Sequence, residues 1–266
     1  MSEPFLKWAG GKRWLVASGR LPKPSKYSRL IEPFVGGGAI FFHLAPNRAV
    51  ISDLNKDLIE LYIVMRDSPG ELYMEMQSHQ SLHSDTYYYA VRENVPDSAV
   101  GRAARFLYLN RTCWNGLYRV NLAGQFNVPR GTKDTVLFEG EDFSSFSRAL
   151  KGADIRCSDF EKTINEAKEG DLLFVDPPYT VKHNINGFLK YNEKIFHWED
   201  QVRLKHSIKR ATRRGVYVVM TNADHESVRD LYADVLDYTS IERHSVLAGA
   251  ASRRGLTTEA LFTFGI

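Results

Sequence analysis

The chain has 266 residues, 43% of them hydrophobic and 25% charged, and carries a net charge of +3. This is the make-up of a globular protein with a substantial core, and it excludes a disordered tail or a disulfide-stapled miniprotein. No apolar run approaches the roughly 20 residues that a membrane-spanning helix needs. Cys113 and Cys157 stand far apart and give no metal-ligand spacing, so no metal is expected. Glu3 and the absence of an early apolar stretch argue against a secretion signal, and a cytoplasmic location is expected.

In chain order, Phe5-Leu6-Lys7-Trp8-Ala9-Gly10-Gly11-Lys12 carries a glycine pair that reads as a turn. Arg29 to Phe34 reads as a first strand, running into Glu32-Pro33-Phe34-Val35-Gly36-Gly37-Gly38 and a helix over Ala39 to Leu44. Ala49 to Ser52 is a second strand ending at Asp53, and Leu54, Leu58, Leu61 and Met65 then mark one face of a helix. From Asp57 to Phe146 the alternation of strands and helices stops. Helical segments around 70–79, 85–93 and 99–109 lead into an Asn- and Gly-rich stretch, 111–133, that reads as a hairpin with a broad loop.

Strands resume at Asp154 to Cys157 and at the apolar Leu172-Leu173-Phe174-Val175, which Asp176-Pro177-Pro178-Tyr179 follows. A basic helix over 199–213, a strand over 215–221, a helix over 224–232 and two closing strands near 235–244 and 258–264 complete the chain. The expected fold is α/β: a doubly wound, mostly parallel sheet with an antiparallel terminal hairpin. Residues 1–56 and 147–266 would form its main domain, with 57–146 inserted.

The tetrapeptide and the glycine turn both fall at carboxyl ends of strands, where such sheets bind ligands. The glycines let backbone approach a ligand closely. Together they suggest one site for a nucleophile and one for a group donor. Asp53 is placed to accept hydrogen bonds from ribose hydroxyls, as acidic residues do in dinucleotide sites. Asp159 and Phe160, after the third strand, could bind an adenine amino group and ring, although Asp159 taken alone reads as a helix cap.

The DPPY tetrapeptide read with EPFVGGG resembles the signature of amino-directed DNA methyltransferases. With KWAGGK first, ISDLN at 51–55 and a helical insertion before DPPY, the chain is similar over most of its length to Dam-type, α-group DNA adenine-N6 methyltransferases. The insertion, with its Trp114-Asn115-Gly116-Leu117-Tyr118-Arg119 run, resembles the recognition hairpin of relatives that methylate GATC. The resemblance implies a methyltransferase fold with a target-recognition domain at 57–146, S-adenosylmethionine as cofactor and double-stranded DNA as partner.

It also implies site residues. Cofactor contacts fall to Trp8, Ala9, Gly10, Gly11, Lys12, Glu32, Phe34, Gly36, Gly38, Asp53, Asp159, Phe160 and Asp176. Base reading falls to Lys7 and Arg119, with Trp114, Asn115 and Leu117 near the target base pairs. Asn121, Asn127, Pro129 and Arg130 would complete the DNA contacts. Two departures are Trp114, where relatives often carry Tyr, and Gly37, where many carry Ala.

The chemistry suits these residues. An adenine amino group is a poor nucleophile because its lone pair is delocalised into the ring. Asp176 and the Pro177 carbonyl can accept its two hydrogens and orient that lone pair, and the ring of Tyr179 can stack on an extruded base. Pro177 and Pro178 bring no amide hydrogens to compete.

Independently of the resemblance, Ser98 to Lys133 holds five arginines and a lysine and no acidic residue. That stretch reads as an electrostatic footprint for phosphate, with Arg102, Arg105, Arg111, Arg119 and Arg130 as contacts. The basic helix over 199–213 is read as a solvated face, Arg253 and Arg254 as further phosphate contacts, and 180–192 as a segment closing over the base. Alternatives are another target (cytosine N4, RNA or a longer GAT-containing site) or a catalytically silent DNA-binding module. A monomer associated with the nucleoid is expected, with any cognate restriction endonuclease acting separately.

Overall fold

The computed structural model describes residues 3–121, 123–182, 196–244 and 256–266. The base-closing segment expected at 180–192 and the Arg253-Arg254 pair lie largely or wholly outside these residues.

Seven strands form one sheet in the order β3-β2-β1-β4-β5-β7-β6. They are β1 (Leu30–Glu32), β2 (Ala49–Asp53), β3 (Ala153–Cys157), β4 (Leu172–Val175), β5 (Tyr217–Ala223), β6 (Asp237–His244) and β7 (Leu256–Phe264). β1 pairs with β2 and β4 in parallel, β4 with β5 in parallel, and β7 runs antiparallel to both β5 and β6. This is the expected fold class: a mostly parallel sheet of the S-adenosylmethionine-dependent methyltransferase type, closed by an antiparallel hairpin.

The helices are α1 (Arg13–Ala17), α2 (Ala39–Leu44), α3 (Lys56–Asp67), α4 (Pro69–Leu82), α5 (Asp85–Glu93), α6 (Ala99–Thr112), α7 (Phe143–Leu150), α8 (Phe160–Asn165), α9 (Trp198–Thr212) and α10 (Glu226–Tyr232). No described helix is long and apolar enough to cross a membrane. Two compact units divide the chain. One comprises Met1–Val16, Val35–Asn47 and Asp53–Cys157, the other Ala17–Phe34, Arg48–Ser52 and Ser158–Ile266.

In the first unit, Phe5 meets Phe42, Tyr62 and Phe146 edge-on at centroid distances of 5.7, 5.2 and 5.3 Å. Such pairs add about 0.5–1.5 kcal/mol each beyond the area they bury. The Asn55 side chain starts α3 by accepting the amides of Asp57 and Leu58, both at 3.1 Å. Leu58, Leu61 and Met65 are buried, but Leu54 is 62% exposed. It precedes the cap and so lies outside the helical face to which periodicity assigned it.

Arg111 also corrects the sequence reading. It ends α6 rather than starting a hairpin, and it is fully buried, with its guanidinium on Glu141 and on the carbonyls of Phe5 and Val136. The stretch after it is a loose hairpin, held by isolated bridges at Cys113–Arg130 and Val120–Phe126 instead of continuous strands. Consecutive left-handed residues, Asn115 and Gly116, and the absent amide hydrogen of Pro129 interrupt any ladder.

The second unit buries Ile31, Leu173, Val175, Val218 and Met220 from the sheet against Phe160, Leu204, Ile208 and Tyr232 from the helices. Continuous apolar strands such as Leu172–Val175 are what a sheet covered on both faces requires. Strand order reverses between β1 and β4, so Glu32-Pro33-Phe34 and Asp176-Pro177 leave neighbouring strands at the switch point where open α/β sheets bind ligands.

Candidate active site and nucleic-acid interface

In the first unit the glycine turn is built around Trp8. A Cβ on Gly36, whose φ is +45°, would sit 2.6 Å from Trp8 Cδ1, so only glycine fits there. At Gly37 a Cβ would lie 3.1 Å from Trp8 Cβ, a tight approach. Gly38 is closed by the Tyr62 hydroxyl, 2.6 Å from where its Cβ would be, and that hydroxyl donates to the Gly36 carbonyl at 3.0 Å. The Trp8 ring stacks on Tyr118 and Phe106 at 5.7 and 6.4 Å.

Asp53 ends β2 and accepts the Gly36 amide at 3.2 Å and the Asn55 amide at 3.0 Å. Burial pushes its carboxyl up, while the amides of Asn55, Gly36 and Leu54 act in the opposite direction. Lys12 is buried and donates to the Gly10 carbonyl at 2.6 Å, and the Gly11 amide donates to the Trp8 carbonyl at 3.1 Å. The amino-terminal motif therefore folds on itself and braces the glycine turn through Trp8. Ala9 and Gly10 are exposed on it.

The expected DNA contacts divide in two. Trp114, Asn115, Arg119, Asn121, Asn127 and Pro129 are exposed, and Leu117 is half-buried. Asn127 Oδ1 accepts from Arg119 Nε at 2.8 Å, and Asn121 Oδ1 shapes the hairpin tip by accepting the amides of Ala123 and Gln125. Arg130, by contrast, is held by Asp85 and Asp134.

The same holds for most of the acid-free stretch. Arg102 is on Glu60, Arg105 is on the carbonyls of Val91 and Arg92, and Arg111 is on Glu141. The stretch lacks acids in sequence but not in space, because its partners come from α3, α5 and 134–141. Its phosphate footprint shrinks accordingly.

A cationic pair that sequence did not single out survives. Lys7 and Lys133 lie side by side, and no ion pair joins either to a carboxylate among the described residues. Burial, then the neighbouring Lys133 charge, lowers Lys7 to about 8. The Asn110 side chain grips both sides of the Lys7 backbone, accepting its amide at 2.9 Å and donating to its carbonyl at 2.7 Å.

In the second unit the tetrapeptide leaves β4 next to β5. Val175 pairs with Met220, so the next rung sets Asp176 beside Thr221, whose hydroxyl donates to Asp176 Oδ1 at 2.8 Å. The Tyr179 hydroxyl donates to Glu259 Oε2 on β7 at 2.8 Å. Burial first, then the Asp176 and Glu259 charges, raises the Tyr179 hydroxyl well above its ordinary value, so it stays protonated. Below the turn, the Gln201 side chain reaches the Thr180 carbonyl and Asn222, and Pro177 is buried while Pro178 is partly exposed. Thr221 and Glu259 escaped sequence reading, since an apolar strand and an amphipathic one hide single polar residues.

Phe34 stacks on Phe160 at 5.4 Å, and Glu32 is buried. Asp159 caps α8 through the Glu161 amide and holds Arg203 with both carboxylate oxygens, while Arg203 lies over the Phe160 ring at 4.3 Å. Phe160 thus sits in the core. The basic helix, α9, is neutralised within its own unit: Arg203 and Arg210 meet Glu161, and Lys205 and Lys209 meet Asp234. Among the described residues no group of three His, Cys, Asp or Glu side chains could hold a metal.

A mostly parallel sheet with a glycine turn after β1, a carboxylate ending β2 and a DPPY turn after β4 is the arrangement of an amino-directed methyltransferase. The family model for D12 class N6 adenine-specific DNA methyltransferases matches residues 8–247, and the chain belongs to that family. It is 40% identical to the Type II methyltransferase M1.LlaDCHI of Lactococcus lactis subsp. cremoris, over 98% of this chain and 94% of the relative. It is 35% identical to the Type II methyltransferase M.MjaIII of Methanocaldococcus jannaschii, over 83% and 84% of the two chains. Against the DNA adenine methylase of Escherichia coli K12 it is 30% identical, over 94% and 91%.

The family's methyl donor is S-adenosylmethionine, and the residues present fit it. The Gly36 cradle admits no side chain, and the Asp53 carboxylate beside it suits ribose hydroxyls.

Proposed function

We propose that this enzyme methylates the N6 amino group of an adenine flipped out of double-stranded DNA, within GATC. S-adenosylmethionine supplies an activated methyl group, held by Trp8, Lys12, the Gly36–Gly38 turn and Asp53. Asp176 and the Pro177 carbonyl accept the two amino hydrogens and turn the nitrogen lone pair toward the methyl group. The Tyr179 ring stacks on the base. The observation that carries this reading is the anchoring of both side chains, Asp176 by Thr221 and Tyr179 by Glu259, which presets the amine-binding turn.

Residues 57–146 form the target-recognition domain. Lys7 and Arg119 read bases, Trp114, Asn115 and Leu117 stand at the target base pairs, and Asn121, Asn127 and Pro129 line the backbone. The uncompensated Lys7–Lys133 pair supports an anionic partner better than Arg102, Arg105 or Arg130, which already hold carboxylates or carbonyls. The Type II designation of the Lactococcus relative supports a restriction-modification setting with a separate endonuclease, and the methyltransferase itself is proposed to act as a monomer.

Gly36→Ala tests the cofactor turn. The added Cβ meets Trp8, at a φ that disfavours any side chain, so affinity for S-adenosylmethionine is expected to fall at least about ten-fold, or 1.4 kcal/mol. Calorimetry giving unchanged affinity would move the cofactor elsewhere.

Arg119→Ala tests recognition. Guanine reading predicts a loss of about 1–3 kcal/mol of discrimination at one base pair, with little change on unrelated duplex. Methylation of GATC and of single-substitution sites by wild type and mutant decides it. Equal slowing at every site would make Arg119 a backbone contact and remove the main support for GATC.

A further inference from the structure

The tip of the recognition hairpin has a definite register. Val120 bridges Phe126, and the Asn121 amide donates to the Gln125 carbonyl at 2.8 Å, so Arg119 stands directly opposite Asn127. The Asn127 amide donates to the Arg119 carbonyl at 3.1 Å. Phe126 and Val128 are buried while Asn127 between them is exposed, so the alternation of the strand turns the Asn127 side chain outward. Arg119 is exposed as well, and opposite residues of an antiparallel pair lie close enough for their side chains to meet.

They meet in a particular way. A guanidinium is a planar fork of N–H donors with two edges that can engage a pair of acceptors. One edge combines Nε with a hydrogen of Nη2, and the other takes one hydrogen from each Nη. Asn127 holds the first edge: its Oδ1 accepts from Arg119 Nε at 2.8 Å, and its backbone carbonyl accepts from Nη2 at 3.4 Å. Guanine presents O6 and N7 side by side, and either edge could in principle meet them. With the Nε edge engaged, the Nη1–Nη2 edge is the one left for a base. Both acceptors on Asn127 are neutral amide oxygens, so they leave the arginine charge uncancelled, unlike the carboxylates that hold Arg102 and Arg130.

We propose that Asn127 is the positioning residue for base reading by Arg119, fixing the guanidinium plane and presenting its Nη1–Nη2 edge to guanine. The inference rests on the assignment of Arg119 to guanine. A free arginine side chain gives up rotamer freedom when it settles on a base, and an arginine already held by its partner gives up less. Anchoring also sharpens rejection. A tethered guanidinium facing the wrong base cannot swing to another acceptor, so its donors go unpaired there. Asn127 Nδ2 is left for the phosphate contact proposed above, so one amide joins the grip on the backbone to the reading of the base.

Asn127→Ala and Asn127→Asp test this. The alanine variant loses the Oδ1 acceptor but keeps the hairpin's backbone bonds, and the aspartate variant keeps an oxygen for Nε while replacing the Nδ2 donor with negative charge. The measurement is kcat/KM for GATC and for sites with one substituted base pair, beside dissociation constants for cognate and unrelated duplex. Asn127→Ala is expected to lower discrimination at least five-fold, at the same base pair that Arg119→Ala relaxes and at no other. Asn127→Asp should bind every duplex more weakly yet discriminate within about three-fold of wild type. The double variant Arg119→Ala/Asn127→Ala should discriminate no worse than Arg119→Ala alone, since the second residue acts through the first.

The proposal is overturned if Asn127→Ala discriminates within two-fold of wild type while binding all duplexes more weakly, which is the pattern of a phosphate contact alone. It is equally overturned if Asn127→Asp loses discrimination as fully as Asn127→Ala, or if the effects of Asn127→Ala and Arg119→Ala add. Arg119→Ala, assayed in parallel, separates this from the underlying assignment. Unchanged discrimination in Arg119→Ala removes guanine reading and the positioning role with it, whereas relaxed discrimination there beside an unaffected Asn127→Ala removes only the positioning role.

Discussion

Asp176→Ala is expected to lower single-turnover methylation by at least about 10³-fold, the upper range for removing one preorganised electrostatic contact to a transition state. The protein should remain folded and bind DNA and cofactor within a few-fold of wild type, because the proposed role of Asp176 is orientation of the amine rather than affinity. Asp176 accepts from the Thr221 hydroxyl, which sits one rung past the Val175–Met220 pair on a strand whose pairing does not depend on that bond. Rapid-quench methylation beside a DNA-binding titration measures both quantities. A mutant with wild-type turnover, or one whose loss is entirely in DNA affinity, would remove Asp176 from the chemistry.

Arg111→Ala is expected to act on stability. Its guanidinium is 1% exposed and its partner Glu141 7%. Truncation would leave that carboxylate buried without its partner and free the carbonyls of Phe5 and Val136, a loss of about 3–5 kcal/mol. At about 2–4 °C per kcal/mol for a chain of this size, the melting temperature should fall by roughly 10 °C. The alternative, a phosphate contact, predicts an unchanged melting temperature and a shallower salt dependence of DNA binding. Differential scanning fluorimetry and a salt titration of the same variant tell the two apart.

Arg111 also marks where sequence reading stopped being reliable. Periodicity placed α2, β2, α5 and β4 nearly to the residue, because capping residues and unbroken apolar runs are local signals. The ISDLN motif was legible for the same reason: Asp53 ends a strand and Asn55 caps the next helix. Charge was read less well. An acid-free run looks like an anion site only if the fold brings no acid to it, and here Glu60, Asp85, Asp134 and Glu141 arrive from elsewhere in the same unit.

The DPPY tetrapeptide was visible, but its anchors were not. Thr221 lies inside an apolar strand and Glu259 inside a closing one, and only the β4–β5–β7 register gathers them around Asp176 and Tyr179. Lys7 and Lys133 likewise stand 126 positions apart on the numbering and meet only in the fold. Motifs made of contiguous residues were legible, and the contacts made by strand register were not.

The most direct test is long-read sequencing of DNA from a methylation-free bacterial host expressing the chain, which reports the modified base and its context together. The expected result is N6-methyladenine at nearly every GATC and at few other sites, absent when Asp176→Ala is expressed instead. N6-methyladenine in a different motif would contradict the roles given to Lys7 and Arg119 and leave the chemistry standing. Modified cytosine, or no modified base from a folded protein that binds S-adenosylmethionine, would contradict the proposed reaction itself.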